Sequence, residues 1–335
     1  MKVLMIGHYP PHRGGVARHV KALVECLAEH EVHVITYGTV KGREEGVSYV
    51  RVPNVFGLRG ISFTLLASRL AVKLHRKFNF DLIHAHYVGT TSYAGVLAKE
   101  RTGLPLVITA HGSDLNFLSK LPLGNYYVRE SLKKADLVIA VSHDLAKKAM
   151  KLGANKVKVI PNFVTMKGES RRNVIAFIGR VSSYKGVDDF VRLAEFFPEE
   201  RFIVVGEGPI LEKLRGEAPG NVSFLGYRRS EEVLREAKVL VLPSRREGFG
   251  LVILEANSFG VPALGRKVGG ITELIREGKN GYLFTNLEEA VEHLRKLLIP
   301  KVNLKKGFIG KRVVELYDRE RICREIVKAY EEVVS

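Results

Sequence analysis

The sequence predicts an α/β protein made of two doubly wound, Rossmann-like domains facing a cleft, and three observations carry that prediction. Short runs rich in β-branched residues alternate with helical patterns along most of the chain, as expected for parallel sheets covered on both faces. The alternation breaks once, at the polar and aperiodic stretch Thr165–Arg172, and then restarts. The 335 residues are too many for one ordinary core and suit two of about 150 each.

In the first half, Lys2–Gly7, Glu31–Tyr37, Val47–Val52, Asp81–Ala85, Pro105–Ala110, Leu137–Val141 and Val157–Ile160 read as strands. Val16–Ala28, Thr91–Glu100 and Asp144–Leu152 read as helices between them. After the break, strands are expected at Val174–Ile178, Arg201–Val205, Val222–Leu225, Val239–Leu242, Pro262–Leu264 and Gly281–Phe284. The helices there are Val187–Phe196, Ile210–Glu217, Ser230–Ala237 and Leu251–Phe259. The domains are therefore set at 1–165 and 166–318. A last helix, Arg319–Val334, follows a basic connection and is expected to pack back on the first domain. No internal repeat is evident.

Hydrophobic residues make up 46% of the chain and charged residues 27%, a soluble globular balance. No apolar run approaches the roughly 18 residues that span a bilayer, and Met1–Gly7 reads as a first strand rather than a signal peptide. A cytoplasmic location is expected, with peripheral contact at the inner membrane face as an extension of it. Cys26 and Cys323 lie far apart without metal-ligand spacing, so buried free thiols are expected rather than a disulfide or a zinc site. The chain has no Gln and no Trp but abundant Lys, Arg and Glu, the bias of hyperthermophile proteins. Net charge is +17, of which +12 falls in residues 1–165 and +5 in residues 166–335. A basic half attracts nucleic acid, an anionic membrane or a phosphorylated substrate. The basic residues lack the interleaved aromatics of a dedicated nucleic-acid binder.

The densest motif runs from Pro243 to Glu255, with Glu247 just before Gly248-Phe249-Gly250-Leu251 and Glu255 inside the helical pattern that follows. Amides around Gly248 and Gly250 would open a helix whose positive end favours an anion. The two carboxylates would then accept hydrogen bonds from hydroxyls on either side of it. Taken alone, such a pair reads as solvated helix-face charge. Gly179-Arg180 ends a strand and Lys185 follows at a helix start, two fixed cations suited to a diphosphate whose charge grows as a glycosidic bond breaks. Val205-Gly206-Glu207-Gly208-Pro209 lacks the third glycine of a dinucleotide fingerprint and reads as a tight turn. Gly226-Tyr227-Arg228 ends another strand, where backbone groups suit a nucleobase edge, and Gly269-Gly270 repeats the glycine-then-helix theme.

In the first half, Arg13-Gly14-Gly15 follows strand one and opens a helix, allowing close backbone approach to a phosphate. His111 closes another strand, and His86 sits similarly after Asp81–Ala85. A lone His is more often structural than catalytic.

In this order, Gly14-Gly15, His111, Pro161-Asn162, Gly179-Arg180 with Lys185, Gly226, and Glu247 to Glu255 resemble motif positions of the retaining family 4 glycosyltransferases over nearly the whole chain. The resemblance implies a GT-B fold and a metal-independent, configuration-retaining transfer of a hexosyl group from a UDP- or GDP-sugar, with no cofactor. It implies that Arg180 and Lys185 hold the donor diphosphate, Glu255 the ribose, Glu247 one sugar hydroxyl and His111 another, with Gly15 facing the phosphates. Where the family often has a small-residue and acidic stretch before its double glycine, this chain has Gly265-Arg266-Lys267-Val268. A GT-B epimerase and a non-catalytic nucleotide-sugar binding protein are the alternatives.

The acceptor is expected to be a sugar, a polyol phosphate or a lipid-linked hydroxyl. Arg59–Phe80 combines Phe63, Leu65, Leu66, Leu70 and Leu74 with Arg69, Lys73, Arg76 and Lys77, a pattern that suits an anionic lipid surface. The same pattern also describes an ordinary amphipathic core helix.

Overall fold

The apolar runs become strands covered on both faces. The computed structural model describes all residues except Arg13, 39–43, Asn54, Phe56 and Gly57. In the first unit, β1 (Lys2–Ile6), β2 (Glu31–Tyr37), β3 (Val47–Val50), β4 (Leu82–His86), β5 (Leu106–Ala110), β6 (Leu137–Ala140) and β7 (Val157–Val159) form one sheet in the order β3-β2-β1-β4-β5-β6-β7. Every neighbouring pair is parallel, with Met5 opposite His84 and His86 opposite Thr109. Val3, Leu4, Met5 and Ile6 are all buried, which is why β1 reads as an unbroken apolar run.

Helices α1 (Gly15–Cys26), α2 (Leu58–Phe78), α3 (Thr90–Thr102), α4 (Ser113–Asn116), α5 (Pro122–Lys134) and α6 (His143–Lys151) belong to this unit. The α6 start is capped by Ser142, whose side chain accepts the Leu145 N–H.

The second unit, Phe163–Asp318, carries β8 (Val174–Ile178), β9 (Phe202–Val205), β10 (Val222–Phe224), β11 (Ala237–Leu242), β12 (Ala263–Arg266) and β13 (Gly281–Phe284). Their order is β10-β9-β8-β11-β12-β13, again all parallel. The helices are α7 (Val187–Ala194), α8 (Leu211–Glu217), α9 (Ser230–Leu234), α10 (Leu251–Ser258), α11 (Ile271–Leu274), α12 (Leu287–Leu298) and α13 (Pro300–Val314). The last helix, α14 (Arg319–Val334), belongs to the first unit, Met1–Asn162 with Arg319–Ser335. Its Tyr330 is fully buried, with the hydroxyl 2.7 Å from His84 Nδ1.

One expectation is corrected and two segments are specified further. Cys26 and Cys323 are not free thiols but a disulfide, with Cα atoms 6.1 Å apart across 297 residues of sequence. Packing of α14 on α1 brings them together, and that spacing lies in the range a bridge needs. The basic connection before α14 is largely α13. Its Gly307 and Gly310 argue against helix by propensity, but they let α13 lie directly on the Gly260 carbonyl and on Asn257, where a Cβ would collide. Finally, α2 buries Phe63, Thr64, Ala67, Ser68 and Ala71 and leaves Leu65 and Leu66 exposed. The small residues on its buried face allow close packing against α3, and the Thr64 hydroxyl bridges to the Thr90 carbonyl at 2.9 Å.

Candidate active site

The strand order of the second sheet reverses between β8 and β11. Open parallel sheets bind ligands beyond the carboxyl ends of their strands at such a reversal. Lys185 lies in the 3-10 turn Ser183–Lys185 after β8, and Glu247 lies in the loop after β11. Lys185 Nζ donates to Glu247 Oε2 at 2.6 Å, the Ser244 hydroxyl donates to the same oxygen at 3.2 Å, and the Gly248 N–H donates to Oε1 at 3.2 Å. The side chains of Lys185 and Glu247 are only 20% and 14% exposed, so solvent screens this pair far less than a surface bridge. Burial works against the Lys185 ammonium, but the charge and hydrogen bond of Glu247 outweigh it and raise its pKa.

A second charged network ties the same loops together. Arg245 grips Asp188 through two hydrogen bonds of 2.9 and 2.6 Å and reaches Asp189 at 3.0 Å. Arg266 donates to Asp189 at 2.6 Å, to the Pro243 carbonyl at 3.1 Å and to the Thr285 carbonyl at 2.9 Å. Its guanidinium is therefore spent on holding β11, β12 and the start of α7 in register, while Lys267 is exposed. Gly186, with φ +67°, lets the turn after Lys185 run against the Pro243 carbonyl, where any Cβ would collide. A cavity of about 300 Å³ is lined by Asp189, Arg245, Arg266 and Asn286 rather than by Lys185 or Glu247.

Gly250 caps α10, Leu251 begins it, and Glu255, 3% exposed, lies one turn inside. Gly248 and Phe249 are buried, and Gly270 packs on their backbone. Arg180 was expected as a fixed cation, but it is exposed and its side chain has no hydrogen-bond or ion-pair partner among the described residues. Gly179 donates its N–H to Val205 at 2.9 Å, and the Gly226 carbonyl accepts from Gly206 at 2.8 Å. Tyr227 is 51% exposed and Arg228 is exposed beside it.

In the first unit, Gly14 caps α1 and Gly15 begins it, both exposed, while Arg13 lies outside the described residues. His111 follows β5. The loop that carries it is fixed by the fully buried Asp114, which accepts the N–H groups of Val88, His111, Gly112 and Leu115 at 2.7–3.0 Å. Burial raises the Asp114 pKa even though these four bonds oppose it. His111 Nε2 lies 3.4 Å from His86 Nδ1, and the His19 ring sits 5.1 Å from that of His111 and 5.7 Å from that of His86. Burial drives the pKa of His19 down to about 4 and that of His84 to about 3, and holds His86 and His111 well below the ordinary value, so the cluster is neutral at pH 7.

Sequence reasoning missed Asp114, Ser244, His19 and the network of Asp188, Asp189, Arg245 and Arg266. Asp114 was readable, since an Asp three residues after a strand-end turn commonly accepts the turn's own N–H groups. Ser244 sits only three residues before Glu247, whereas the charged network pairs across 56 or more residues and left no local signal.

Residues 13–167 match the family described as Glycosyltransferase Family 4, and residues 172–299 match the one described as Glycosyl transferases group 1. An uncharacterized glycosyltransferase of Methanocaldococcus jannaschii is 31% identical over 358 residues, covering 99% of each chain. Among solved structures, sucrose-phosphate synthase from Thermosynechococcus elongatus superposes with a TM-score of 0.86 at 20% identity, over 99% of each chain. Anabaena HepE in complex with UDP and glucose superposes with a TM-score of 0.80 at 21% identity, also over 99% of each.

Proposed function

The chain belongs to the family 4 glycosyltransferases and is a transferase with the GT-B fold, and on that premise we propose a metal-independent, configuration-retaining transfer of a hexosyl group from a UDP- or GDP-sugar to a hydroxyl acceptor. The observation that carries it is the shielded Lys185–Glu247 pair beside the capped start of α10, at the reversal of strand order. An ammonium held by one carboxylate, next to a helix start that favours anions, suits a diphosphate.

In this reading residues 166–318 bind the donor. Lys185 and Arg180 hold the diphosphate. Arg180, uncommitted in the structure, closes on it when donor arrives. Glu255 takes the ribose hydroxyls, Glu247 a sugar hydroxyl, and the turn Gly226-Tyr227-Arg228 the base. Gly179, Gly248, Phe249 and Gly250 bring backbone close to the phosphates. Residues 1–165 serve the acceptor, with Gly14 and Gly15 toward phosphate and His111 on a second sugar hydroxyl. The leaving diphosphate takes the acceptor proton as the glycosidic bond breaks, so the protein's work is positional and electrostatic.

Titration calorimetry with UDP, GDP and ADP at matched salt tests the donor site. HepE carries UDP, which makes UDP the first nucleotide to try. One nucleotide should bind, at least tenfold more weakly in Lys185→Ala. Binding by none of them would remove the donor assignment.

A lipid-linked acceptor at an anionic surface is supported by Leu58, Ile61, Leu65 and Leu66, all exposed on α2 beside Arg59 and Arg69. No helix among the described residues is long and apolar enough to cross a membrane. Sedimentation with anionic vesicles should fall as salt rises; retention independent of lipid charge would refute the surface contact.

A further inference from the structure

His19 on α1, His86 at the end of β4 and His111 after β5 each offer one ligand nitrogen within 4.8 Å of the others. They meet where the strand order of the first sheet reverses between β1 and β4. We propose that these three histidines form a transition-metal site, taking Zn2+ or a dication of similar preference for imidazole and leaving one coordination position open.

The donor set fits that chemistry. Three imidazoles and an open position make up a common zinc arrangement, and imidazole also suits copper and nickel. The spacing fits in part. Two nitrogens bound tetrahedrally at about 2.0–2.1 Å from one ion stand about 3.3 Å apart. The three ligand nitrogens lie within 4.8 Å of one another, so closing the site requires an inward shift of at most about 1.5 Å between any two.

The surroundings leave His86 open to a ligand. It is completely buried, its Nε2 has no hydrogen-bond partner, and neither ring nitrogen is held by a carbonyl or carboxylate among the described residues. Buried polar atoms rarely stay unpaired without a reason, and an absent ion is one. The shell around it is built. His84 lies 4.0 Å from His86 ring to ring, and both its nitrogens are committed, to Tyr330 and Thr109 at 2.7 Å each. It thus walls the cluster without competing as a ligand. Gly7 makes room on the other side, because a Cβ there would press on His86 Cβ at 3.0 Å. Asp114 fixes the backbone of His111.

One consequence rests on the transfer reading above. A metal ion on His111 withdraws that imidazole from the sugar hydroxyl, so the loaded form is inactive and a chelator restores it.

The test uses the full chain, stripped with chelator and titrated with Co2+, then Zn2+. Co2+ should give visible ligand-field bands of a four- or five-coordinate site at one equivalent per chain, and Zn2+ should displace them one for one. His19→Asn and His86→Asn should each weaken binding at least tenfold, whereas His143→Asn, on an exposed residue, should not. If His86→Asn fails to fold, the wild-type spectrum and His19→Asn still decide. No bands at millimolar Co2+, or binding indifferent to both substitutions, overturns the site. Metal binding through these histidines without loss of transfer keeps the site and overturns the hydroxyl role given to His111.

Discussion

The two units share a strand order about their reversal points yet fill them with opposite chemistry. In the second, Lys185 is locked on Glu247, and Arg245 and Arg266 are locked on Asp188 and Asp189. In the first, the same position holds uncharged histidines and a carboxylate tied to backbone N–H groups. Topology fixes where the loops gather, and side-chain chemistry decides what gathers there. One edge is built of paired charges, the other of buried bases whose pKa burial lowers.

The largest consequence is acid sensitivity confined to one unit. Ten of the eleven histidines lie in the first unit and only His293 in the second. For His19 the folded pKa is about 4 against an ordinary 6.5. The unfolded chain takes up the proton first, so stability is intact above about pH 6.5 and falls as pH drops toward 4, by about 3 kcal/mol for this residue. His84 extends the window downward, and the raised Asp114 opposes part of the loss. Neighbouring sites titrate together, so the losses do not simply add. Hydrogen exchange at pH 7 and pH 5 should show protection lost in 1–162 and retained in 163–318. Equal loss in both would break the contrast.

Next in size is Arg180→Ala. The side chain is exposed and uncommitted, so stability should be unchanged while turnover falls by about two orders of magnitude. Near-normal turnover would remove Arg180 from the diphosphate site. Asp189→Asn is expected to act more gently. Asp189 touches no substrate in this reading, but it joins Arg245 and Arg266. Loosening that joint should raise KM for donor by about tenfold and leave kcat nearly unchanged, since it softens binding more than chemistry. A fall in kcat with constant KM would place Asp189 closer to the reaction than the network implies.

Much of this was legible in the residues. The alternation of β-branched runs and helical stretches located every strand of both sheets, because the side-chain periods of strand and helix are properties of neighbouring residues. The same reasoning named Lys185, Glu247 and Glu255 from their setting among glycines. It failed where a partner lay far along the chain. Glu247 and Lys185 were read in separate motifs, and nothing local joined them across 62 residues. On α2 it grouped Phe63 with the leucines, and only packing showed that Phe63, Ala67 and Ala71 share the buried face while Leu65 and Leu66 are exposed.

What the sequence determined by itself was the succession of elements, the break near residue 165 and the glycine turns at the strand ends, all set by interactions within a few residues. The tertiary structure alone decided that Cys26 meets Cys323, that Arg266 pairs with Asp189, and that three histidines from α1, β4 and the loop after β5 converge. The physical reason is that such meetings depend on the order in which strands join a sheet and on which helix face finds a close fit, and neither is written in any short stretch of chain.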